Sequence, residues 1–180
     1  MKRTLWITLP LVAALMQAQD YQVPIQSKNG PSYTYENYPF PDDIRVYTMD
    51  KKEVVLAIDQ LTLIQVWSTC CGAEPEVWQR VRQMEADYRD QGLKTVSISF
   101  ENGSDFPDHH QILVDFFKKV EQPEHFYFDP LGYVIDLLKV RGFPSYYLVD
   151  KDGTVVFRTS GKDREGVRML EIEIQNRLNG

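Results

Sequence analysis

Residues 61–67 form a short apolar run that polar side chains barely interrupt. A run of this length is typical of a β-strand that is buried on both faces of a covered sheet. Apolar residues then recur at the spacing of one helix face: Val77, Val81, Met84 and Tyr88. Gly92 follows where helices commonly end, and Leu93 to Phe100 predicts another strand. The succession of strand, helix and strand favours an α/β fold.

The rest of the chain extends this pattern. We predict strands at 44–47, 53–58, 126–128, 146–149 and 154–158. We predict further helices at 112–120 and 131–140, and a C-terminal helix with Val167, Leu170, Ile174 and Leu178 on its apolar face. Lys151-Asp152-Gly153 joins the last two strands, and Asp-Gly is a strong hairpin signal. Together these elements predict a central mixed β-sheet that is flanked by helices.

The first 18 residues have the composition of a secretory signal peptide. Lys2 and Arg3 precede an apolar stretch from Leu5 to Met16, and small Ala18 precedes a polar segment. The stretch is shorter than the roughly 18–20 residues that a spanning helix needs. We therefore expect residues 1–18 to be removed, leaving an exported protein, periplasmic or extracellular, with no stable membrane span. An uncleaved membrane anchor is the alternative.

Residues 19–43 are predicted to be a lead-in segment before a folded domain at 44–180. The segment holds Pro24, Pro31, Pro39 and Pro41 among Tyr21, Tyr33, Tyr35 and Tyr38. Proline at this density favours extended backbone over regular structure, so we expect regular structure to begin near Ile44. We expect the tyrosines to pack against the domain; the alternative is a recognition strip.

The chain is acidic, with 26 Asp and Glu residues against 20 Lys and Arg residues and a formal net charge of −6. It offers no basic stripe that would displace the counterions of a nucleic acid. The sequence therefore predicts no nucleic-acid partner.

The chain has only two cysteines, Cys70 and Cys71, and they are adjacent. Small secreted domains that depend on disulfides spread their cysteines along the chain. Adjacent cysteines cannot join distant segments, so their role is local, in chemistry or in packing.

Two separated segments resemble the exported TlpA/ResA-type thioredoxins. Val66-Trp67-Ser68-Thr69-Cys70-Cys71 resembles the family's strand and active-site turn, F-W-A-T-W-C-x-x-C, with Cys71 at the nucleophilic cysteine. Residues 140–153, VRGFPSYYLVDKDG, resemble the family's V-x-G-x-P-T-x-x-L-I-D-x-D-G, with Pro144 at the cis-proline. The resemblance spans residues 44 to 178. It implies a thioredoxin-like fold with a cis-proline loop, in which Cys71 lies close to Pro144.

The resemblance also implies an activity on protein thiols or disulfides that needs no cofactor. Cys71 would act as the nucleophile, and Trp67, Phe143 and Pro144 would contact the substrate. Pro144 has no N–H, and a cis bond before it turns a backbone edge toward the cysteine, where an extended substrate can pair. The partners would be protein thiols, protein disulfides or an external reductant.

The sequence departs from the family at three positions. Glu74 stands at the family's second cysteine, Cys70 replaces the tryptophan before the nucleophile, and Gln65 replaces a buried acid that assists proton transfer in thioredoxins. The usual dithiol shuttle is therefore incomplete. Glu74 has two interpretations: it exchanges a proton with a thiol partner, or it closes a capping box at the helix start.

The reactivity of Cys71 depends on where the next helix begins. A helix N-terminus stabilises a thiolate through unpaired N–H groups and the helix dipole, whereas the charge of Glu74 opposes it. Pro75 favours the first helical position, which would leave Cys71 in the preceding loop. A mixed disulfide at Cys71 needs a second thiol, which is either Cys70 or an external one. If Cys70 has no chemical role, it is a small buried hydrophobe.

Other functions are kept as alternatives. One is a binding module that has the fold without redox turnover, and another is a one-cysteine peroxide-reducing enzyme, whose usual proline–threonine context is missing. A Cu(I) site that joins the cysteines to His109, His110 or His125 is disfavoured, because we expect His109-His110 to be an exposed pair at a helix start. We predict no metal site.

Overall fold

A computed structural model describes residues 33–71, 75–101, 106–160 and 164–180. Within these ranges the strands are β1 Tyr33–Pro39, β2 Arg45–Tyr47, β3 Glu53–Val55, β4 Leu61–Trp67, β5 Leu93–Ser99, β6 Phe126–Phe128, β7 Ser145–Val149 and β8 Thr154–Ser160. The helices are α1 Pro75–Tyr88, α2 Phe106–Phe117, α3 Tyr133–Leu137 and α4 Arg164–Asn179. No helix within these ranges is both long and apolar enough to cross a bilayer. The predicted signal peptide lies outside the described residues.

All eight strands form one mixed sheet with the order β1-β8-β7-β4-β5-β6-β2-β3. β4 is parallel to β5, and β5 is parallel to β6. β7 is antiparallel to both β4 and β8. Every residue of β4 is buried, as the apolar run predicts. The predicted fold, a mixed sheet flanked by helices, is confirmed.

Helices cover both faces of the sheet. Because successive side chains of a strand point to opposite faces, neighbouring residues of β4 enter different clusters. Leu63 packs in a cluster with Met84 of α1 and Ile174 of α4. Ile64 packs in another cluster with Val134 of α3. This two-sided packing fixes the carboxyl end of β4, where the cysteines follow.

The connection from α1 to β5 ends at a glycine, as the sequence predicts. A short 3-10 helix, Arg89–Gln91, follows α1, and the Gly92 N–H donates to the Arg89 carbonyl at 3.0 Å. Gly92 has a φ of 106°, in the left-handed region that glycine adopts at little cost. The chain can therefore reverse and enter β5 at the next residue.

The predicted lead-in segment contributes a strand, so the expectation that regular structure begins near Ile44 is wrong. β1 pairs antiparallel with β8 at the edge of the sheet. Tyr33 stacks on Phe157 at a centroid distance of 5.8 Å, and Tyr35 meets the same ring edge-on at 5.3 Å. Tyr38 is buried. The packing interpretation holds for these three tyrosines, although Tyr35 remains 57% exposed, and their contacts together with the pairing to β8 outweigh the local effect of the prolines.

α2 begins earlier than predicted and ends sooner, covering Phe106–Phe117 rather than 112–120. Phe106 packs against the aromatic cluster that contains Leu113, so the apolar face continues toward the N-terminus. His109 lies between them and is also buried. The prediction placed the start of this helix at Ile112. It missed the first turn because that part of the helix contains two histidines and an aspartate.

α3 is a single short helix, Tyr133–Leu137, within the predicted range 131–140. Lys139, just after it, has a φ of 51°, which is outside the helical region. The helix therefore ends several residues before Gly142.

Candidate active site

The two cysteines lie in a tight turn directly after β4. The Ser68 N–H donates to the Cys71 carbonyl at 3.1 Å, and the Cys71 N–H donates to the Ser68 carbonyl at 3.0 Å. Ser68, the first residue of the turn, is buried. The turn therefore continues the central strand and presents its other end at the surface of the protein.

Both cysteines are free thiols with exposed side chains. Their Sγ atoms are 2.8 Å apart. The two sulfurs are in direct contact, so a thiolate at either position has a thiol donor beside it. The turn thus joins a nucleophile and a second thiol in one exposed pair.

A buried acidic residue, Glu101, reaches the turn from the neighbouring strand. β5 is parallel to β4, with Ser99 opposite Trp67. The Phe100 N–H donates to the Trp67 carbonyl at 2.9 Å, which keeps the two chains side by side beyond the strand ends. Glu101 follows immediately and is only 7% exposed.

Glu101 accepts hydrogen bonds from three residues around it. The Thr69 N–H donates to Oε1 at 2.7 Å, and the hydroxyls of Thr69 and Ser68 each donate to Oε2 at 2.9 Å. The Ser99 hydroxyl donates to Oε1 at 3.2 Å. The neighbours of this buried carboxyl group all donate, so its hydrogen-bonding capacity as an acceptor is satisfied. Glu101 therefore ties the cysteine turn to β5.

Ser68 links this carboxylate to one of the thiols. Its Oγ lies 2.9 Å from Glu101 Oε2 and 3.3 Å from Cys70 Sγ. The sequence analysis identified neither Ser68 nor Glu101 as a site residue. The sequence carried a signal for Glu101, because it directly follows the predicted strand 93–100, which comes after the strand and helix that flank the cysteines. The carboxyl ends of parallel strands lie at the same edge of a sheet.

The proline loop lies at the same end of the sheet as the cysteine turn. The Phe143–Pro144 peptide bond is cis, the conformation that the sequence predicts. Ser145 pairs with Val66 across the antiparallel β7–β4 ladder, so the residues before Ser145 lie beside those after Val66. The ring centroids of Phe143 and Phe100 are 6.2 Å apart. The proline loop therefore also makes an apolar contact with the residue that follows β5.

Comparisons with known proteins identify this architecture. No family model and no curated protein sequence matches the chain. A solved structure from Chlorobium tepidum, assigned as the thiol:disulfide interchange protein DsbE, superposes with a TM-score of 0.68 at 22% identity, over 79% of this chain and 97% of that one. A DsbF homologue from Corynebacterium diphtheriae gives a TM-score of 0.63 at 18% identity, over 84% and 98% of the two chains. The exposed lipoprotein thioredoxin of Streptococcus pneumoniae gives 0.58 at 15% identity, over 73% and 98%. The chain has a thioredoxin-like fold.

Within this thioredoxin-like fold, Trp67 belongs to the core, so its predicted contact with substrate is wrong. The side chain has no exposed surface and packs against Trp78 and Phe116. Its Nε1–H donates to the Ser97 hydroxyl at 2.8 Å, and that hydroxyl donates to Gln65 Oε1 at 3.5 Å. Trp67 therefore supports the strand that precedes the cysteines. Its side chain does not reach the surface, where a partner would bind.

Cys71 lies in the turn and not on a helix. α1 begins at Pro75, whereas Cys71 forms a bridge with Ser68. The late helix start suggested by Pro75 is confirmed, and Cys71 does not occupy the helix N-terminus that its register implied. Glu74 lies outside the described residues, so both interpretations of its role stay predictions.

The histidines of α2 are not the exposed pair that the sequence predicts. His109 has no exposed surface, and its Nε2 lies 3.4 Å from the Ser99 hydroxyl. Burial, with a smaller contribution from His110, lowers the pKa of His109 to about 4. The ring is therefore neutral at neutral pH. Among the described residues, His, Cys, Asp and Glu side chains form no group of three that could hold a metal ion.

Proposed function

We propose that the protein is an exported, thioredoxin-like protein that acts on protein thiols and disulfides through Cys71 as its nucleophile. The observation that carries this proposal is the exposed pair of free thiols, 2.8 Å apart, in a tight turn at the carboxyl end of the central strand. The thioredoxin-like fold of the solved neighbours supports it, because in that fold this turn carries the reactive cysteine of the resembling family.

The assignment of Cys71 as the nucleophile has two supports. The resemblance aligns Cys71 with the family's first cysteine. Cys70 Sγ is already in contact with the Ser68 hydroxyl, at 3.3 Å. Cys70 can also donate a hydrogen bond to a Cys71 thiolate, and a hydrogen bond to the charged form favours it. Cys70 would therefore assist Cys71 as its neighbouring donor.

Phe143 and Pro144 are proposed to form the substrate groove beside Cys71. The ladder between β4 and β7 brings the proline loop to the same end of the sheet as the turn. Pro144 cannot donate a backbone hydrogen bond, so it does not extend that ladder itself. An extended segment of a partner could pair along this edge, with its disulfide near Cys71 and an apolar side chain against Phe143.

An insulin-reduction assay with dithiothreitol, combined with thiol titration, tests the proposed activity. The parent protein should accelerate insulin precipitation, and Cys71→Ser should abolish the acceleration. Two titratable thiols together with no acceleration by the parent would contradict the proposal. That outcome would favour the alternative, a redox-inactive binding module for an extracytoplasmic partner.

Export is proposed from the composition of residues 1–18 and is supported by a solved neighbour that is named an exposed lipoprotein thioredoxin. N-terminal sequencing of protein from the native host tests it. The first residue should be near Gln19 in an extracytoplasmic fraction. Recovery of intact Met1 from a soluble cytoplasmic fraction would contradict export without affecting the thiol chemistry.

A further inference from the structure

We propose that Ser68 and Glu101 form a proton relay through which Cys70 resolves the mixed disulfide at Cys71. The inference rests on the proposed function, because Cys71 must first attack a substrate disulfide. Ser68 would act directly on the reacting sulfur of Cys70, and Glu101 would be a positioning residue that acts through Ser68.

The direction of the hydrogen bonds follows from the number of protons available. A serine hydroxyl has one proton, and a carboxylate can only accept. The proton of Ser68 therefore points to Glu101 Oε2 at 2.9 Å. In the mixed disulfide Cys71 carries no thiolate, so the single proton of Cys70 is available for its contact of 3.3 Å with Ser68 Oγ. The three groups form a continuous path from thiol to hydroxyl to carboxylate.

The carboxylate at the end of this path is fixed in place. Glu101 is 7% exposed, and Ser68 is 2% exposed. Thr69 holds Glu101 through both its N–H and its hydroxyl. Gln65, at the position of the buried acid in the resembling family, carries an amide that does not titrate. Glu101, just beyond the end of β5, supplies the acceptor that β4 lacks.

The reaction balances over two steps. The Cys71 thiolate attacks a substrate disulfide, forming a Cys71–substrate disulfide and releasing the first substrate thiolate, which takes a proton from water. The Cys70 thiol then gives its proton to Ser68 Oγ while the Ser68 proton passes to Glu101. The Cys70 sulfur attacks Cys71 Sγ and forms a Cys70–Cys71 disulfide, and the second substrate thiolate leaves. The substrate gains two electrons, and an external dithiol later reduces the cysteine pair.

Stopped-flow reaction of the reduced full chain with one equivalent of dithiobis(nitrobenzoate), a chromogenic aryl disulfide, separates the two steps. Attack by Cys71 releases one equivalent of thionitrobenzoate, and resolution by Cys70 releases a second. Intact mass then distinguishes a closed pair, lighter by two hydrogens, from a protein that carries adducts. The first phase tests the proposed function, and the second phase tests the relay.

Ser68→Ala removes the hydroxyl from the path, and we expect it to slow the second phase by about 10²-fold relative to the first phase of the same variant. Glu101→Gln should also slow the second phase at neutral pH. Its rate should then rise steeply with pH, because hydroxide replaces the carboxylate as proton acceptor, whereas the parent rate should change little across the neutral range. This pH profile is a readout that a purely structural role of Glu101 would not alter.

Thr69→Val is the matched control. It also removes one hydroxyl bond to Glu101 Oε2, at the same distance of 2.9 Å, but that hydroxyl is outside the path to Cys70. It should slow the second phase far less than Ser68→Ala does. Far-ultraviolet circular dichroism confirms that each variant is folded.

Three results would overturn the relay. In the first, the parent shows one phase and a stable adduct, so Cys70 does not resolve. In the second, Ser68→Ala and Glu101→Gln keep the rate and the pH profile of the parent. In the third, Thr69→Val slows the second phase as much as Ser68→Ala, so Glu101 acts only by holding the turn. Absence of the first phase from the parent would contradict the proposed function itself, and the relay with it.

Discussion

Trp67 is the largest buried side chain of the strand that leads into the cysteine turn. Its indole has no exposed surface and donates to the Ser97 hydroxyl. We predict that Trp67→Phe lowers the free energy of unfolding by about 2 kcal/mol, because it leaves a void and removes a buried hydrogen bond. The rate at which Cys71 is alkylated should stay unchanged. Urea denaturation and alkylation with iodoacetamide measure the two quantities.

Trp78→Phe is the control for that substitution. Trp78 is also buried, but its Nε1 has no hydrogen-bond partner among the described residues. The cost of this change should therefore be smaller, by about 1 kcal/mol, which is typical of one hydrogen bond. Unchanged stability of Trp67→Phe with slower reduction of peptide disulfides would instead restore Trp67 as a substrate contact.

The lowered pKa of His109 predicts that the free energy of unfolding depends on pH. Burial lowers its pKa from 6.5 to about 4 in the folded protein, so the unfolded chain binds a proton at a higher pH than the folded one does. Its stabilising contribution is complete above the unfolded pKa of 6.5 and is lost as the pH falls toward about 4. The loss should reach at most about 3 kcal/mol.

Urea denaturation of the parent and of His109→Gln at a series of pH values measures this contribution. The difference between the two unfolding free energies should shrink on acidification through that range, because glutamine does not titrate. A difference that stays constant with pH would show that His109 has the same protonation state in the folded and unfolded chain.

At the scale of elements, β1 is the addition that the sequence did not predict. Its Glu36 lies 3.5 Å from Arg158 of β8, and both side chains are 7% exposed. We predict that Glu36→Gln costs about 3 kcal/mol of unfolding free energy, because it removes a negative charge that is paired with a buried guanidinium. Equilibrium urea denaturation measures the cost.

Glu53→Gln is the matched control for the buried pair. Glu53 pairs with Arg45 at 3.0 Å, but these side chains are 42% and 56% exposed. Surface pairs contribute about 1 kcal/mol or less. Equal effects of the two substitutions would show that β1 does not bury its ion pair in solution.

β1 was missed for a physical reason. The predicted lead-in was judged from its prolines, which act locally, whereas the strand is held by aromatic contacts with Phe157 of β8. These contacts join segments that are far apart in the chain, and the sequence of β1 alone does not reveal its partner. β4, α1 and the β7–β8 hairpin have such patterns of their own, and the sequence predicts all of them.

For the whole molecule, local sequence patterns reveal one part of the site, and contacts between distant segments determine the other part. The positions of Cys70, Cys71 and Pro144 follow from two local motifs and from strand pairing. The contact between Thr69 and Glu101 joins residues 32 apart, and it depends on the parallel register of β4 and β5. If the strands are predicted but their register is not, Glu101 is placed near the site. Its contact with the cysteine turn is then not predicted.

The claim on which the rest depends is that Cys71 attacks disulfides, and trapping its mixed disulfide tests this most directly. Cys70→Ser removes the neighbouring thiol and should therefore let the adduct accumulate. The variant is mixed with a peptide that contains a disulfide, quenched with acid, digested and analysed by tandem mass spectrometry. We predict a peptide joined to Cys71 in this variant, and no adduct in Cys71→Ser under the same conditions. Failure of Cys70→Ser to form an adduct, or an equally rapid adduct at Cys70 in Cys71→Ser, would contradict the assignment of Cys71 as the nucleophile.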